Sequence, residues 1–418
     1  MIETVRNAWK IGELRQRILF TLAMLVIFRI GAHVPIPGID PTVLAEFFQE
    51  DTLFGFMDII GGGALSSFTI FAMGIMPYIN ASIITNLLTV VIPKLKEWSE
   101  EGVEGRKKMI QLIRYGTVLL AFLQATGMTF TIIQPAITDH SFTSYAIIII
   151  SLTAGTAFLM WLGELITEKG IGNGISLLIM AGIIAGFPRF VGQTVEQLQL
   201  GQIGFMTVIP IMLVLLALIV GIVALDVGRR RIPVQYAKRV VGRKVYGGQS
   251  THIPLKVNQA GVIPVIFASA ILMFPATIAI LIEHPFAQRV AEALSWGNPL
   301  NTGLYAILII LFTFFYTAIQ FDPMKISNDI KKYGGFIPGL RPGRPTAEYL
   351  SKVSTRLTFA GAFALAFIAV LPILLEGTTE MQLVFGGTAL IIVVGVSLET
   401  MRQIESHMLM RNYEGFMR

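Results

Sequence analysis

"DIIGGGALSSFTIFAMGIMPYINASIITNLL", residues 58–88, decides how the rest of the chain is read. It begins weakly, with three glycines at 61–63 followed by Ser66 and Ser67. Each glycine disfavours a helix by about 1 kcal/mol against alanine. The stretch then becomes apolar enough to enter lipid, yet it carries Pro77, Asn80, Ser82, Thr85 and Asn86. In hydrocarbon such side chains need partners on other helices. A loose segment followed by a membrane helix studded with polar groups poses the functional question.

Composition settles the class. Of 418 residues, 54% are hydrophobic and 14% charged, where a soluble domain is charged at about a quarter of its positions. Mean hydropathy is +0.70. The chain reads as a polytopic membrane protein. It has no cysteine and only five scattered histidines, so neither a disulfide nor a spaced metal-ligand set is expected. The apolar run that follows residues 1–17 continues to Val34 without a small-residue cleavage pattern and reads as a retained span.

A spanning helix needs about 20 mostly apolar residues. Ten segments qualify: 18–34, 70–92, 112–133, 144–166, 171–187, 207–226, 262–282, 304–321, 357–375 and 382–399. The fifth is the weakest, because Pro188 and Arg189 follow it closely. With the N-terminus cytoplasmic, the inner segments 1–17, 93–114, 163–174, 227–258, 322–356 and 400–418 hold 29 of the 32 lysines and arginines. Arg29 lies in the first span, and the outer loops keep only Arg189 and Arg289. Omitting the fifth span would put the most basic loop outside, against the positive-inside rule. Ten spans with both termini cytoplasmic follow, and topology alone accounts for the pI near 9.4. The expected fold is all-α, two five-helix halves at 1–195 and 196–418. With five spans each, the halves are inverted relative to one another around a central pore.

Intramembrane charge is sparse. Arg29, Glu164 and Asp226 fall at or near span ends, where snorkelling or interface placement is expected. There is no phosphate-binding loop, nucleophile elbow or zinc-binding helix motif. An enzyme is not indicated, and no cofactor is called for. Two long basic inner loops stand out, "DVGRRRIPVQYAKRVVGRKVYGGQSTHIPLKVN" (226–258) and "FDPMKISNDIKKYGGFIPGLRPGRPTAEYLSKVSTRL" (321–357). Their Gly-Gly and Pro-Gly pairs suggest built turns that project a surface.

At these loops a resemblance becomes specific. "RRIPVQYAKRVVGRKVYGGQSTHIPLKVNQAGVIPVIFAS" resembles the SecY/Sec61 family, the pore subunits of Sec protein translocases. So do "GGGALSSFTIFAMGIMPYINASII", "TEKGIGNGISLLIMAGI", "FIPGLRPGRPTAEYL" and "VFGGTALIIVVGVSLE", in order through nearly the whole chain. Asn86 stands where relatives often carry glutamine. The resemblance implies a channel without its own motor, in the bacterial cytoplasmic membrane. It passes unfolded secretory polypeptides across and releases transmembrane segments sideways into membrane lipid. It implies the partners SecE and SecG, the SecA ATPase or a translating ribosome, and signal sequences as the recognised cargo.

The same resemblance assigns roles. Asp58, Ile59, Ile60, Gly61, Gly62, Gly63, Ala64, Leu65, Ser66 and Ser67 become a short plug in the outer funnel, where glycines suit a segment that must be displaced. Asn80, Asn86, Gln124 and Ser269 become candidates for a lateral gate held by weak polar contacts, each worth about 1 kcal/mol or less. A seal that must yield to any polypeptide wants branched apolar side chains that close by dewetting. Ile75 and Ile79, four apart, share a helical face, as do Ile179 and Ile183. The family pattern adds Ile266 and Ile392 to this pore ring. Arg341, between two Pro-Gly pairs, with Arg243 and Lys244 in the neighbouring loop, is implied in motor or ribosome binding. Two rival readings stay open here: a secondary transporter of a small solute, with a midplane polar site, and a passive membrane scaffold.

Overall fold

The structure, a computed structural model, describes residues 9–40, 62–131, 133–236, 239–241, 244–246, 250–281, 285–295, 298–376 and 386–415. Every one of the ten expected spans coincides with a helix. They are α1 (Gly12–Gly31), α2 (Met76–Val91), α4 (Val103–Thr131), α5 (Phe142–Lys169), α6 (Gly174–Gln199), α7 (Phe205–Val227), α8 (Ile263–Leu281), α10 (Pro299–Gln320), α12 (Arg344–Glu376) and α13 (Gly387–Gly415). Shorter helices intervene at α3 (Pro93–Glu100), α9 (Pro285–Ala293) and α11 (Pro323–Lys332). By length and apolarity alone, seven described helices cross a bilayer, or eight if the pair α2–α3, bent by 104°, counts as one span. Helices α1 and α8, with 20 and 19 residues, still reach about 28–30 Å at 1.5 Å per residue.

Local chemistry sets the boundaries. Expected to begin at residue 70, the second span starts six residues later, because Gly74 takes a left-handed φ of +56° and Pro77 then enters the first turn of α2, where its missing N–H is not needed. Ser141 caps α5 and Asn173 caps α6, each accepting a backbone N–H three residues on at 3.3 Å. The weak fifth span proves long. Helix α6 carries Pro188 inside it and runs on to Gln199, since a membrane helix tolerates proline when neighbours satisfy the freed carbonyl.

The first five spanning helices pack mainly on one another, through α2–α4, α4–α5, α5–α6 and α1–α5. The last five do likewise, through α8–α10, α10–α12, α7–α13 and α12–α13. Contacts α2–α8, α4–α8 and α6–α13 join the two groups. The basic inner loops, expected to be turn-rich, instead build a three-stranded antiparallel sheet in the order β4-β1-β5, from β1 (Arg229–Tyr236), β4 (Ser250–Lys256) and β5 (Gly335–Phe336). A second hairpin pairs β2 (Arg239–Val241) with β3 (Lys244–Tyr246). Ile232 and Val234 alternate inward along β1 and pack with Leu255, Ile330, Ile337 and Leu350. The two loops therefore share one small core.

The three charges expected to snorkel or to sit at the interface all have protein partners. Arg114 of α4 forms a fork on Glu164 of α5, with bonds of 2.6–3.0 Å. Asp226, at the inner end of α7, is buried and pairs with Arg402 of α13, whose guanidinium also donates to the Asp226 carbonyl at 2.9 Å. Burial, and then the charge of Arg402, hold the nearby Lys256 ammonium below the usual lysine range. Arg29 donates to a backbone carbonyl at Gly62.

The Asp226–Arg402 pair pins α7 to α13. Replacing Arg402 with glutamine leaves a buried carboxylate without its cation, and we expect a loss of about 3 kcal/mol in detergent thermal unfolding. Adding Asp226→Asn should recover most of that loss. Equal destabilisation in the single and double variants would show that the pair is not what joins the helices.

Candidate functional site

Gly62 and Gly63 of the opening stretch make turns, not a helix. Gly62 and Gly63 adopt φ of +70° and +84°, conformations open to glycine at little cost. A Cβ on Gly62 would stand 3.0 Å from the Cα of Gly182 in α6, so this position admits no side chain without a shift. Behind it the chain is tied down. The Thr69 backbone N–H and hydroxyl both donate to the Ala64 carbonyl, at 2.9 and 3.2 Å. The segment after α1 then bonds to residues 68 and 70: Ile36 N–H donates to the Phe68 carbonyl at 3.1 Å, and Ile70 N–H to the Val34 carbonyl at 3.0 Å. Phe71 is stacked between Phe28 and Phe158, at ring separations of 6.2 and 5.9 Å. Ala64 and Leu65 are wholly buried. Asp58, Ile59, Ile60 and Gly61 lie outside the described residues.

Six isoleucines converge from four helices. Ile79 lies in α2, and Ile75 stands at its N-cap, accepting the Ile79 N–H at 3.1 Å. Ile179 and Ile183 belong to α6, Ile266 to α8 and Ile392 to α13. Each is at most 9% exposed, and all six fall in one apolar cluster that also contains Ala64. Two of the four helices come from each packing group. A buried apolar cluster of this kind excludes water and holds its members without directional bonds.

The four polar candidates flank a seam. Helix α8 touches both α2 and α4. Asn80 is buried in α2, while Asn86 and Gln124 are half-buried. Ser269 is buried in α8, and its hydroxyl donates to the Ile266 carbonyl of its own helix at 2.9 Å. Among the described residues, none of the four makes a hydrogen bond across the seam.

Beside the three-stranded sheet Arg341 is exposed at the tip of a turn held from both sides. The buried Ser327 hydroxyl donates to the Gly343 carbonyl at 2.7 Å, and Thr346 donates to the carbonyl of Arg341 itself at 2.9 Å. Gly339 and Gly343 supply φ of +83° and +102°. The side chain borders a cavity of about 530 Å³ with Lys331, Gly335, Phe336 and Leu340. Fixed backbone, exposed guanidinium and a neighbouring lysine suit a carboxylate or phosphate from a partner. Lys244 belongs to β3 of the hairpin, and Arg243 lies outside the described residues.

Two features escaped the sequence reading. The alternation Ile232, Val234, Tyr236 in "RRIPVQY" is a strand signal that the abundance of charge obscured. The contact of Arg29 with Gly62 joins residues 33 apart and has no local signature.

Comparison with known proteins adds the family context. A model of the SecY family matches residues 69–401. The chain is 48% identical, over the full length of both, to a protein translocase subunit SecY of Halalkalibacterium halodurans. It is 46% identical to a protein translocase subunit SecY of Escherichia coli, covering 97% of this chain and 94% of that one. A solved structure of a SecY protein, whose plug domain is described as stabilising the closed state and maintaining a membrane seal, shares this fold. Its TM-score is 0.68 at 19% identity, over 94% of this chain and 92% of that one.

Proposed function

The chain belongs to the SecY family of protein-translocase subunits, and we propose that polypeptide passes through the apolar centre described above. It is a multi-pass membrane protein and a protein-conducting channel subunit, not an enzyme, and the solute-transporter reading is set aside. One observation carries the proposal: Ala64, from the turn-forming segment, shares its apolar cluster with the six isoleucines.

In this reading Ile75, Ile79, Ile179, Ile183, Ile266 and Ile392 form the constriction, and residues 58–67 form the plug seated against it. The α2–α8 seam is the lateral gate, which a signal sequence parts to reach lipid, with Asn80, Asn86, Gln124 and Ser269 beside it. The weakness of contacts across this seam supports that role, since a gate needs helices that meet without strong bonds between them. The halves 1–195 and 196–418 move against each other about the constriction. Both termini face the cytoplasm of a bacterial cell, as the distribution of Lys and Arg favours. SecE and SecG complete the complex. SecA or a translating ribosome docks on the platform that carries Arg341, Arg243 and Lys244. The decisive experiment is reconstitution. With SecE, SecG and SecA in proteoliposomes, the protein should move a secretory precursor and, alone, move no small solute.

Replacing Ile79 and Ile183 together with asparagine should hydrate the constriction. A buried amide without partners costs about 1–3 kcal/mol, so the open population should rise on the order of tenfold. Transport of precursors with defective signal sequences is the readout. Loss of all transport from a normally folded variant would mean that these side chains serve packing and not the pore.

Arg341→Glu should lower SecA-driven transport by more than about tenfold, because it removes a charge-assisted contact worth roughly 1.5–3 kcal/mol and reverses its sign. Membrane insertion, thermal stability and SecE association should be unchanged. Wild-type transport by this variant at limiting SecA would reduce the residue to one more topology-setting charge.

A further inference from the structure

Arg29 sits in the last turn of α1, at the outer end of the first span under the proposed orientation. The positive-inside distribution gives it no reason to be there, because all but three of the lysines and arginines lie in the inner segments. Its guanidinium Nη1 donates to the Gly62 carbonyl at 2.9 Å. Among the described residues it forms no ion pair. On its other side Gly62 faces the Cα of Gly182, next in sequence to Ile183 of the constriction.

We infer that Arg29 is a positioning residue for the closed channel: its guanidinium latches the front of the plug, through the Gly62 carbonyl, against the backbone of α6. The inference rests on the plug reading given above and adds the device that holds the plug in place. The rear of the segment is fixed by backbone bonds at residues 68–70 and by the stacked Phe71. A segment tied at one end and latched at the other swings; it does not drift away. Gly63 at φ +84°, and Phe68 at φ +41°, a conformation unusual for a non-glycine residue, supply points where the backbone has already turned.

The chemistry suits release. A guanidinium bonded to a single carbonyl is held more firmly than a neutral pair but has no counter-charge to abandon. When the carbonyl leaves, the cation needs only water. Arg29 borders an open concavity together with Leu22, Val26, Ile30 and His33, and from the last turn of its span a long cationic side chain can snorkel to the interface for hydration. A carboxylate at the same place would form an ion pair that is harder to part in a dehydrated site. Gly62 is required from the plug side, because its φ of +70° and the 3.0 Å approach to Gly182 leave no space for a Cβ.

The test is closed-state ion conductance of the complex with SecE and SecG in planar bilayers. Arg29→Gln should raise it on the order of tenfold, the effect expected from losing one charge-assisted bond. Arg29→Lys keeps a donor and should leak less than Arg29→Gln. Deleting residues 62–67 should leak at least as much, and adding Arg29→Gln to that deletion should change nothing further, since a latch acts only through what it holds. Wild-type conductance in Arg29→Gln beside a leaking deletion overturns the latch and leaves the plug standing. No leak from either removes the plug reading, and the latch with it. Extra leak when the two are combined shows that Arg29 acts elsewhere and also overturns the latch. Should Arg29→Gln fail to assemble, Gly62→Ala disturbs the same seat and must leak while Arg29→Lys adds nothing to it; a tight Gly62→Ala channel overturns the latch.

Discussion

Under the proposed function the fold depends on one apolar cluster, in which Ala64 is buried together with isoleucines from α2, α6, α8 and α13. A seal for ions could be built from a salt bridge or a hydrogen-bonded network, but either would select the side chains able to pass. Dispersion and water exclusion are indifferent to sequence. On the proposed reading, that indifference is why a constriction would be built from branched aliphatic residues. The helices that carry the six isoleucines, α2 with α8 and α6 with α13, also supply two of the three contacts that join the packing groups. On the proposed reading the seal therefore lies on the boundary between the groups.

Close backbone approach is the second device, and it is found where motion would be harmful or where a seat must fit. A Cβ on Gly155 of α5 would fall 1.8 Å from the Ile70 carbonyl, and one on Gly31 would strike the ring of Phe71 at 2.1 Å. Both glycines crowd residues 70–71, so the segment behind the proposed plug is closely packed. The loop between α5 and α6 is bound from two distant helices: Thr21 of α1 accepts the Ile171 N–H at 3.0 Å, and Gln403 of α13 accepts the Gly172 N–H at 2.9 Å. The N-terminal end of α6, the helix that carries Ile179 and Ile183, is thus tied to α1 and α13.

Much of this was legible in the sequence, for identifiable reasons. Spans are visible because lipid demands a long apolar run, and all ten fall on helices. Orientation was argued from Lys and Arg counts, which read loops and not contacts. The boundaries drifted where backbone chemistry outvoted hydropathy, at Gly74 before α2 and at Pro188 inside α6. Asp226 was read as an interface charge because its cation, Arg402, lies 176 residues away. The sheet was hidden by its surroundings. A strand with only two buried side chains, flanked by Arg229, Arg230 and Arg231, resembles a basic loop until its period of two is noticed. The plug and ring came from resemblance. Neither glycine runs nor isoleucines at helical spacing separate a pore from ordinary packing.

The charges that remain divide by side, and the division is physical. Under the proposed orientation, the cytoplasmic ends of the helices accept cations without working against topology. Some pair inward, as Arg402 does with Asp226. Others stay exposed on the sheet platform, where Arg341 is held out by a turn whose carbonyls are bound by Ser327 and Thr346. A surface meant for partners gains from exposed charge, because steering and bidentate bonding both need it. Toward the outside, a cation works against topology and is worth keeping only for a specific contact. Arg29 makes such a contact, with a carbonyl and not a carboxylate.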